Sequence, residues 1–322
     1  MAQLVDSVEP QIYVVMNPVG GTCNPDAVRE SLARQLGEAG KRYEIYETTG
    51  AHDENIAEVV HGAVSRGAEI VVAVGGDGTV SEVAGALSSS DVPLGIIPAG
   101  TANVLARELQ VPVEIDSAVG LIAGQHGITS IDGLEADGRI YVLSVGIGIE
   151  SIMIRDTPRD AKRRFGRLAY LWTAFTSALG FRGRRFTIVV DGQRTRPRAI
   201  QVLVANGGTL GVAPLRWGPG ISPRDGRVNV VIIGPRTLLD YLKIAYHTVL
   251  GRHRENPNLR YITARESVTV TADSPLPVQA DGEIIGTTPV QVRVVPAAVQ
   301  VVVPSQVEEP VDQLAERVVS AV

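Results

Sequence analysis

Cysteine occurs once in the 322 residues, as Cys23. An internal disulfide is therefore excluded, and a lone thiol fits a reducing compartment. No apolar run reaches the roughly 20 residues that span a bilayer, so any membrane contact is expected to be peripheral. Residues 1–10 are polar and acidic, which sets the expectation of a cytoplasmic chain without a secretion signal. Positive charge is also short. Lys and Arg total 30 against 35 Asp and Glu, and the net charge of −5 argues against a general nucleic-acid binder. The histidines, at 52, 61, 126, 247 and 253, show no HxH or HxxxH spacing, so no zinc site is supported. Internal repeats and low-complexity segments are missing as well.

What is present is an ordinary globular composition, 44% hydrophobic and 20% charged. The length is too great for one ordinary core and makes two domains the default. The chain is organised around VVAVGGDGTV at 71–80. Val71 to Val74 form a run short enough for a buried strand. Glu82, Val83, Ala84, Ala86 and Leu87 then follow with helical spacing. Strand, glycine turn and helix succeed one another. Three glycines let a ligand approach the backbone, and a helix start offers unpaired N–H groups to an anion. Glycine turns without ligands are common, but an acid and a threonine inside this one favour a phosphate site, with or without metal. No G-K-[ST] follows, so this is not a Walker A loop.

QIYVVM at 11–16 reads as a first strand, ending at NPVGGT. Asn24 or Asp26 is placed to cap a helix running to about Ala39. A second strand at 42–48 and a helix carrying Ile56, Val59, Val60 and Val64 precede the glycine turn. LGII at 94–97 is a further strand, followed by PAGTAN and helical residues 104–109, with Thr101 a candidate cap. This alternation predicts a parallel sheet with right-handed crossovers. Ligands in such sheets sit beyond the carboxyl ends of the strands. Loops 17–22, 48–53, 75–79 and 98–103 therefore gather at one edge.

These four loops, NPxxG, Thr-x4-Asp, GGDGT and PxGTxN, resemble the diacylglycerol kinase catalytic-domain family, to which sphingosine kinases and, more distantly, NAD kinases are related. The resemblance implies ATP held by Asn17, Thr48, Gly75, Gly76, Asp77, Gly78, Thr79, Val80, Ser81 and Thr101. In many bacterial members an Asp follows the PxGTxN Asn and joins an acidic network near the metal. Here Val104 stands there, and Asp77 has to carry more of that role. As a loop-tip carboxylate, Asp77 is expected to contribute little to packing.

From about Ile128 the pattern turns to strands, at 128–132, 139–145, 186–190, 199–205, 228–233, 267–272 and 289–303, most separated by Gly or Pro turns. They predict a mainly antiparallel, sandwich- or barrel-like domain. The resemblance implies a β-sandwich holding the acceptor lipid. SVGIGI at 144–149 and FGRLAY at 165–170 loosely match family motifs. Leu168, Leu171, Trp172, Phe175 and Leu179 line one face of a helix best read as core-facing. Basic residues crowd around it from Arg155 to Arg185, either as a solvated face or as a surface for acidic lipid.

SPRDGRV at 222–228 is an Asp-Gly turn by itself. The resemblance implies Mg²⁺ held there by the Asp225 carboxylate and the carbonyls of Ser222 and Arg227. Asp281-Gly282-Glu283 reads either as a hairpin turn or as the family's DGE motif. In the latter case Glu283 is the general base, with Asp77 the competing candidate. The tail after Pro304 reads as a short amphipathic helix.

The chain is thus expected to hold an α/β ATP-binding domain at 1–127 and a β-sandwich lipid-acceptor domain at 128–303. A tail at 304–322 is expected to pack on the first domain. The expected activity is ATP- and Mg²⁺-dependent transfer to a lipid hydroxyl at a membrane surface, diacylglycerol first and a sphingoid base or other lipid second. A homodimer is compatible with this picture. NAD kinase and a non-catalytic sensor are the rivals. The first lacks its downstream Asn-Glu pair here, since 255–256 reads Glu-Asn. Intact Asp77, Asp225 and Glu283 oppose the second.

Overall fold

The computed structural model describes residues 11–19, 24–49, 54–88, 90–156, 183–210, 215–235 and 237–305. FGRLAY at 165–170, the helix at 168–179 and the tail from 306 lie outside these residues. So does most of the basic patch, of which Arg155, Arg184 and Arg185 are described. The chain divides into two compact units. Among the described residues, the first takes those up to Ser130 together with 299–305, and the second takes those within Ile131–Ala298. Residues 299–303, read from the sequence as part of the second domain, thus belong to the first unit.

The first unit alternates β1 (Ile12–Met16), α1 (Pro25–Glu38), β2 (Tyr43–Glu47), α2 (Ile56–Ser65), β3 (Ile70–Gly75), α3 (Asp77–Leu87), β4 (Leu94–Pro98), α4 (Val104–Glu108) and α5 (Ile115–Ala123). The strands pair in parallel in the order β4-β3-β1-β2, with Val14 opposite both Ile45 and Val72. Val301 adds a further parallel partner beside Leu94. β1, β3 and β4 are buried along their whole length. That is the expected state of strands covered on both faces. One layer packs Val28, Leu32 and Leu36 of α1 and Val119 and Ile122 of α5 onto Ile12, Val14, Val72 and Val74. α2 and α3 pack together elsewhere on the sheet. Asn24 accepts the Ala27 N–H at 3.3 Å and Asn55 the Glu58 N–H at 3.3 Å, which starts α1 and α2. α5 was not anticipated. Its Glu114 cap accepts N–H groups of Asp116 and Ser117, although Glu is not a favoured cap residue.

The chain continues through β5 (Gly127–Ala136), β6 (Arg139–Tyr141), β7 (Ser144–Gly148), α6 (Ile149–Asp156), β8 (Arg184–Val190), β9 (Gln193–Thr195), β10 (Arg198–Ala199), β11 (Gln201–Ala205) and β12 (Val228–Ile233). Then come α7 (Leu238–Val249), a 3-10 turn at His253–Glu255, β13 (Leu259–Ala264), β14 (Ser267–Ala272), β15 (Pro277–Ala280), β16 (Glu283–Thr287) and β17 (Val290–Val303). In the second unit, one sheet runs β13-β12-β11-β7-β15-β16, antiparallel throughout. The other joins β10, β8, β14 and β17, with β9 on β8. Their inner faces share a core. Phe186, Ile188, Val268 and Val292 come from the second sheet, and Val145, Ile147, Val202, Val204 and Val230 from the first. This is an antiparallel β-sandwich. The single strand read at 139–145 is two, because Val142 and Leu143 donate their N–H groups to Asp281 instead of to a ladder.

Candidate active site

The carboxyl ends of β1, β2, β3 and β4 meet through their backbones. Asn17 N–H donates to the Val74 carbonyl at 2.9 Å, Thr48 N–H to Met16 at 2.8 Å, and Ala99 N–H to Gly75 at 2.8 Å. The loops beginning at Asn17 and after Pro98 are thereby stitched to the end of β3, and Thr48 is stitched to the end of β1. Asn17 Nδ2 also donates to Thr79 Oγ1 at 3.4 Å. Thr48 Oγ1 is buried and has no hydrogen-bond partner among the described residues. Such a hydroxyl is left with hydrogen-bonding capacity for a water or a ligand. Gly20–Cys23 and Gly50–Asp53 lie outside the described residues.

GGDGT is not a free turn. α3 begins at Asp77, with Gly76 as its N-cap and no side-chain cap. Gly75 has no room for a Cβ, because Thr79 Cβ would lie 2.8 Å away. A Cβ on Gly100 would collide with the Gly76 backbone. The two glycine loops therefore touch main chain to main chain. Asn103 closes the second loop on itself. It accepts the Gly100 N–H and donates to the Gly100 carbonyl, both at 2.9 Å, from a left-handed backbone at φ 49°. Asn103, not Thr101, occupies the N-cap of α4, and Thr101 is exposed. Val80 and Ser81 are buried within α3, while Gly78 is exposed.

Asp77 joins the two loops. Its Oδ1 accepts the Val104 N–H at 2.5 Å. Burial pushes the Asp77 carboxyl above its ordinary range, and the N–H groups of Val104 and Asn103 pull against that shift. The sequence reading treated this carboxylate as a loop tip with little structural work. Instead it is half-buried and holds α4 in place. Val104 contributes through its N–H, which any non-proline residue there would supply.

In the second unit, Asp281-Gly282 is a two-residue hairpin turn between β15 and β16, with φ of 46° and 91°. Asp281 is bound to the start of β7. Its Oδ1 accepts the N–H groups of Leu143 and Ser144, and its Oδ2 that of Val142, at 2.8–3.0 Å. Glu283 opens β16 and is exposed. The turn is tied to a residue the sequence reading passed over. Gly282 N–H donates to Gln279 Oε1 at 2.8 Å. Gln279 and Gln201 together hold the Glu150 carboxyl above Gly146, Gln201 Nε2 donating to Glu150 Oε2 at 3.1 Å. Desolvation pushes Glu150 up to about 7, against the Gln279 hydrogen bond. The available signal was a lone acid directly after the glycine-interrupted strand SVGIGI.

Asp225 lies on the 222–227 loop. Its Oδ1 accepts the Arg227 N–H at 3.2 Å, and its Oδ2 lies 3.3 Å from Arg227 Nε. Burial pushes its pKa up, Arg227 pulls it down, and the nearby Asp132 carboxylate raises it. Asp132 is buried and spends its oxygens on the N–H groups of Gly226 and Ala297. A hard ion on this loop would have to compete with Arg227 for the Asp225 carboxylate. Among the described residues, no group of three or more His, Cys, Asp or Glu could hold a metal by side chains alone.

Two stability predictions follow from this geometry. Asp77→Ala strands the Val104 N–H and is expected to lower the stability of the first unit by about 1–3 kcal/mol, read by chemical unfolding. An unchanged midpoint would return Asp77 to a loop-tip role. For Glu150, the unfolded carboxyl ionises near 4.5 and the folded one near 7. Between these values the unfolded chain binds fewer protons, so wild-type stability falls as pH rises through this window. Glu150→Gln removes that dependence. Its Tm should exceed wild type at pH 8, and the difference should close toward pH 4. A pH-independent difference would contradict the desolvated carboxyl.

Comparison with known proteins gives the same picture. The diacylglycerol kinase catalytic domain matches residues 11–135, and the YegS C-terminal NAD kinase beta sandwich-like domain matches residues 143–303. An uncharacterised protein of Synechocystis sp. is 29% identical over 305 residues, covering 91% of this chain and 70% of that protein. The diacylglycerol kinase of Bacillus subtilis is 26% identical over 298 residues, covering 90% and 97%. The crystal structure of a diacylglycerol kinase from Bacillus anthracis shares the fold at a TM-score of 0.74 and 23% identity, covering 91% of this chain and 96% of that one. With an α/β unit of parallel strands, an antiparallel sandwich unit and both domain matches, the chain belongs to the diacylglycerol kinase family and is a lipid kinase.

Proposed function

We propose that this lipid kinase transfers the γ-phosphoryl group of ATP to a primary hydroxyl of diacylglycerol, yielding phosphatidic acid. The observations that support the nucleotide half are the buried Thr48 hydroxyl, which has no hydrogen-bond partner among the described residues, and the paired glycine loops further along the same sheet edge. Asn17, Thr48, Gly75–Ser81 and Thr101 are the proposed ATP contacts. Phosphates placed at the start of α3 meet N–H groups that no side chain caps. Bare glycine backbone keeps Cβ atoms out of their way.

In the transfer, the lipid hydroxyl oxygen bonds to the γ-phosphorus as the bond to the β–γ bridging oxygen breaks, and ADP leaves. The hydroxyl proton needs an acceptor. Glu283 is the proposed base, because its carboxylate is exposed while that of Asp77 is committed to the Val104 N–H. Mg²⁺ supplies charge neutralisation on the phosphates. Asp225, with the carbonyls of Ser222 and Arg227, would hold a further, structural ion. The proposed division of labour gives ATP binding to the first unit and the lipid acceptor to the second.

Steady-state kinetics test these roles separately. Thr48→Val removes a hydroxyl with no partner among the described residues, so stability should hold while KM for ATP rises several-fold, about 1 kcal/mol of lost hydrogen bonding. Glu283→Gln should lower kcat by roughly 10²–10⁴ with ATP affinity unchanged. An unchanged KM in the first variant would remove Thr48 from the nucleotide site. A kcat within a few-fold of wild type in the second would move the base role to Asp77.

A further inference from the structure

The helix α7 is built inside out for a globular domain. Leu238, Leu239, Leu242, Tyr246, Val249 and Leu250 recur at three- and four-residue spacing, the pattern of one helix face. A stripe of this kind normally lies in a core. Here Leu242 is 58%, Tyr246 60% and Val249 66% exposed, and no residue of the helix is buried. The half-buried side is the one carrying Asp240, Tyr241, Ile244 and His247. The helix is nonetheless well defined. Thr237 and Asp240 form a reciprocal capping box at its start. Its far end packs on the His253–Glu255 turn, where buried His253 holds the Arg216 carbonyl at 2.9 Å.

We infer that α7 is the surface by which this enzyme lies on an anionic bilayer. The proposal rests on the chain being a lipid kinase. Its acceptor resides in a membrane, and none of the described helices is long and apolar enough to cross one. A helix of 12 residues with a continuous apolar stripe suits the interfacial mode, in which that stripe sinks among the acyl chains and the axis stays in the plane. Tyr246 brings an aromatic ring with a polar tip, suited to headgroup depth. Lys243 borders the stripe, and Arg252 and Arg254 follow it, all three exposed. These cations are placed to meet anionic headgroups while the apolar side chains insert. The other charges along the segment are Asp240, engaged in the capping box, and Glu255, 3.9 Å from Arg252.

The test is co-sedimentation of the full chain with vesicles of phosphatidylcholine, alone or mixed with phosphatidylglycerol, without ATP. Wild type should bind the mixed vesicles more tightly. The combined Leu242→Ser, Tyr246→Ser and Val249→Ser variant should lose about tenfold or more in affinity, as removal of inserted apolar area requires. Its activity on short-chain, detergent-dispersed diacylglycerol should stay at the wild-type level. Binding needs no turnover, so an inactive chain that still binds through α7 would sink the kinase reading and leave the docking surface standing. A single Tyr246→Trp substitution gives a second readout that spares the stripe. Its added emission should shift to the blue when mixed vesicles are present. Wild type that binds neither vesicle, a serine variant that binds like wild type, or emission that stays unshifted would each overturn the proposal. So would a wild-type dimer that the serine variant splits while vesicle binding persists, since the stripe would then belong to a second copy of the chain.

Discussion

The first unit depends on a contact that tolerates no side chains. Two βα loops, one after β3 and one after β4, touch through the backbones of Gly76 and Gly100. One carboxylate, Asp77, reaches from the start of α3 to the first N–H of α4. Parallel strands place successive loops side by side at one sheet edge, but they do not lock them. The glycine contact sets how closely the loops approach, and the Asp77 hydrogen bond sets their register. Asn103 then freezes the second loop by bonding Gly100 twice. The result is a floor of bare main chain at the ends of β3 and β4, and on the same sheet edge, at the end of β2, is a buried threonine hydroxyl without a partner among the described residues. Such a floor suits a polyphosphate because its donors are fixed before the ligand arrives.

The second unit solves its positioning problem in the same way, with one carboxylate collecting several backbone donors. Asp281 takes the three N–H groups where β6 gives way to β7, so the β15–β16 turn cannot move independently of the neighbouring strand. Glu283 stands directly after that anchor. Gln279 links the turn to Glu150, whose carboxyl is pushed up to about 7 by burial. Perturbed acids in such settings are candidates for functional sites. In both units, then, the motif acid that draws the eye in the sequence divides its work with a neighbour. Asp77 and Asp281 build the scaffold, and the groups beside them are left exposed or unsatisfied.

Much of this was legible beforehand because it rests on local rules. Continuous apolar runs such as 71–74 and 94–97 became strands buried on both faces, and Asn24 became the cap of α1. The loop motifs proposed for the active site stand out because Gly, Asp and Thr at fixed offsets leave a pattern in one dimension. Elements whose reason for existing is not local were missed. β13, β15 and β16 are mixed polar and apolar segments stabilised by antiparallel partners that the sequence does not name. α5 starts on Glu114, a residue that capping preferences do not flag. The structural role of Asp77 was invisible because its partner lies 27 positions away and is a main-chain N–H. Glu150 was missed because its burial and its partners Gln201 and Gln279, on strands distant in sequence, are set by the tertiary fold. α7 escaped notice for a different reason. Its apolar periodicity is ordinary, and only the structure shows which side faces outward.

The central claim is that this floor and this base serve phosphoryl transfer from ATP to a lipid hydroxyl. The most direct measurement supplies ATP labelled in the γ-phosphate to the purified chain with Mg²⁺ and detergent-dispersed diacylglycerol, and resolves the products by chromatography. The account predicts label in phosphatidic acid, dependent on both ATP and lipid. Label found only as inorganic phosphate, or transferred to NAD and not to lipid when both are offered, would contradict it.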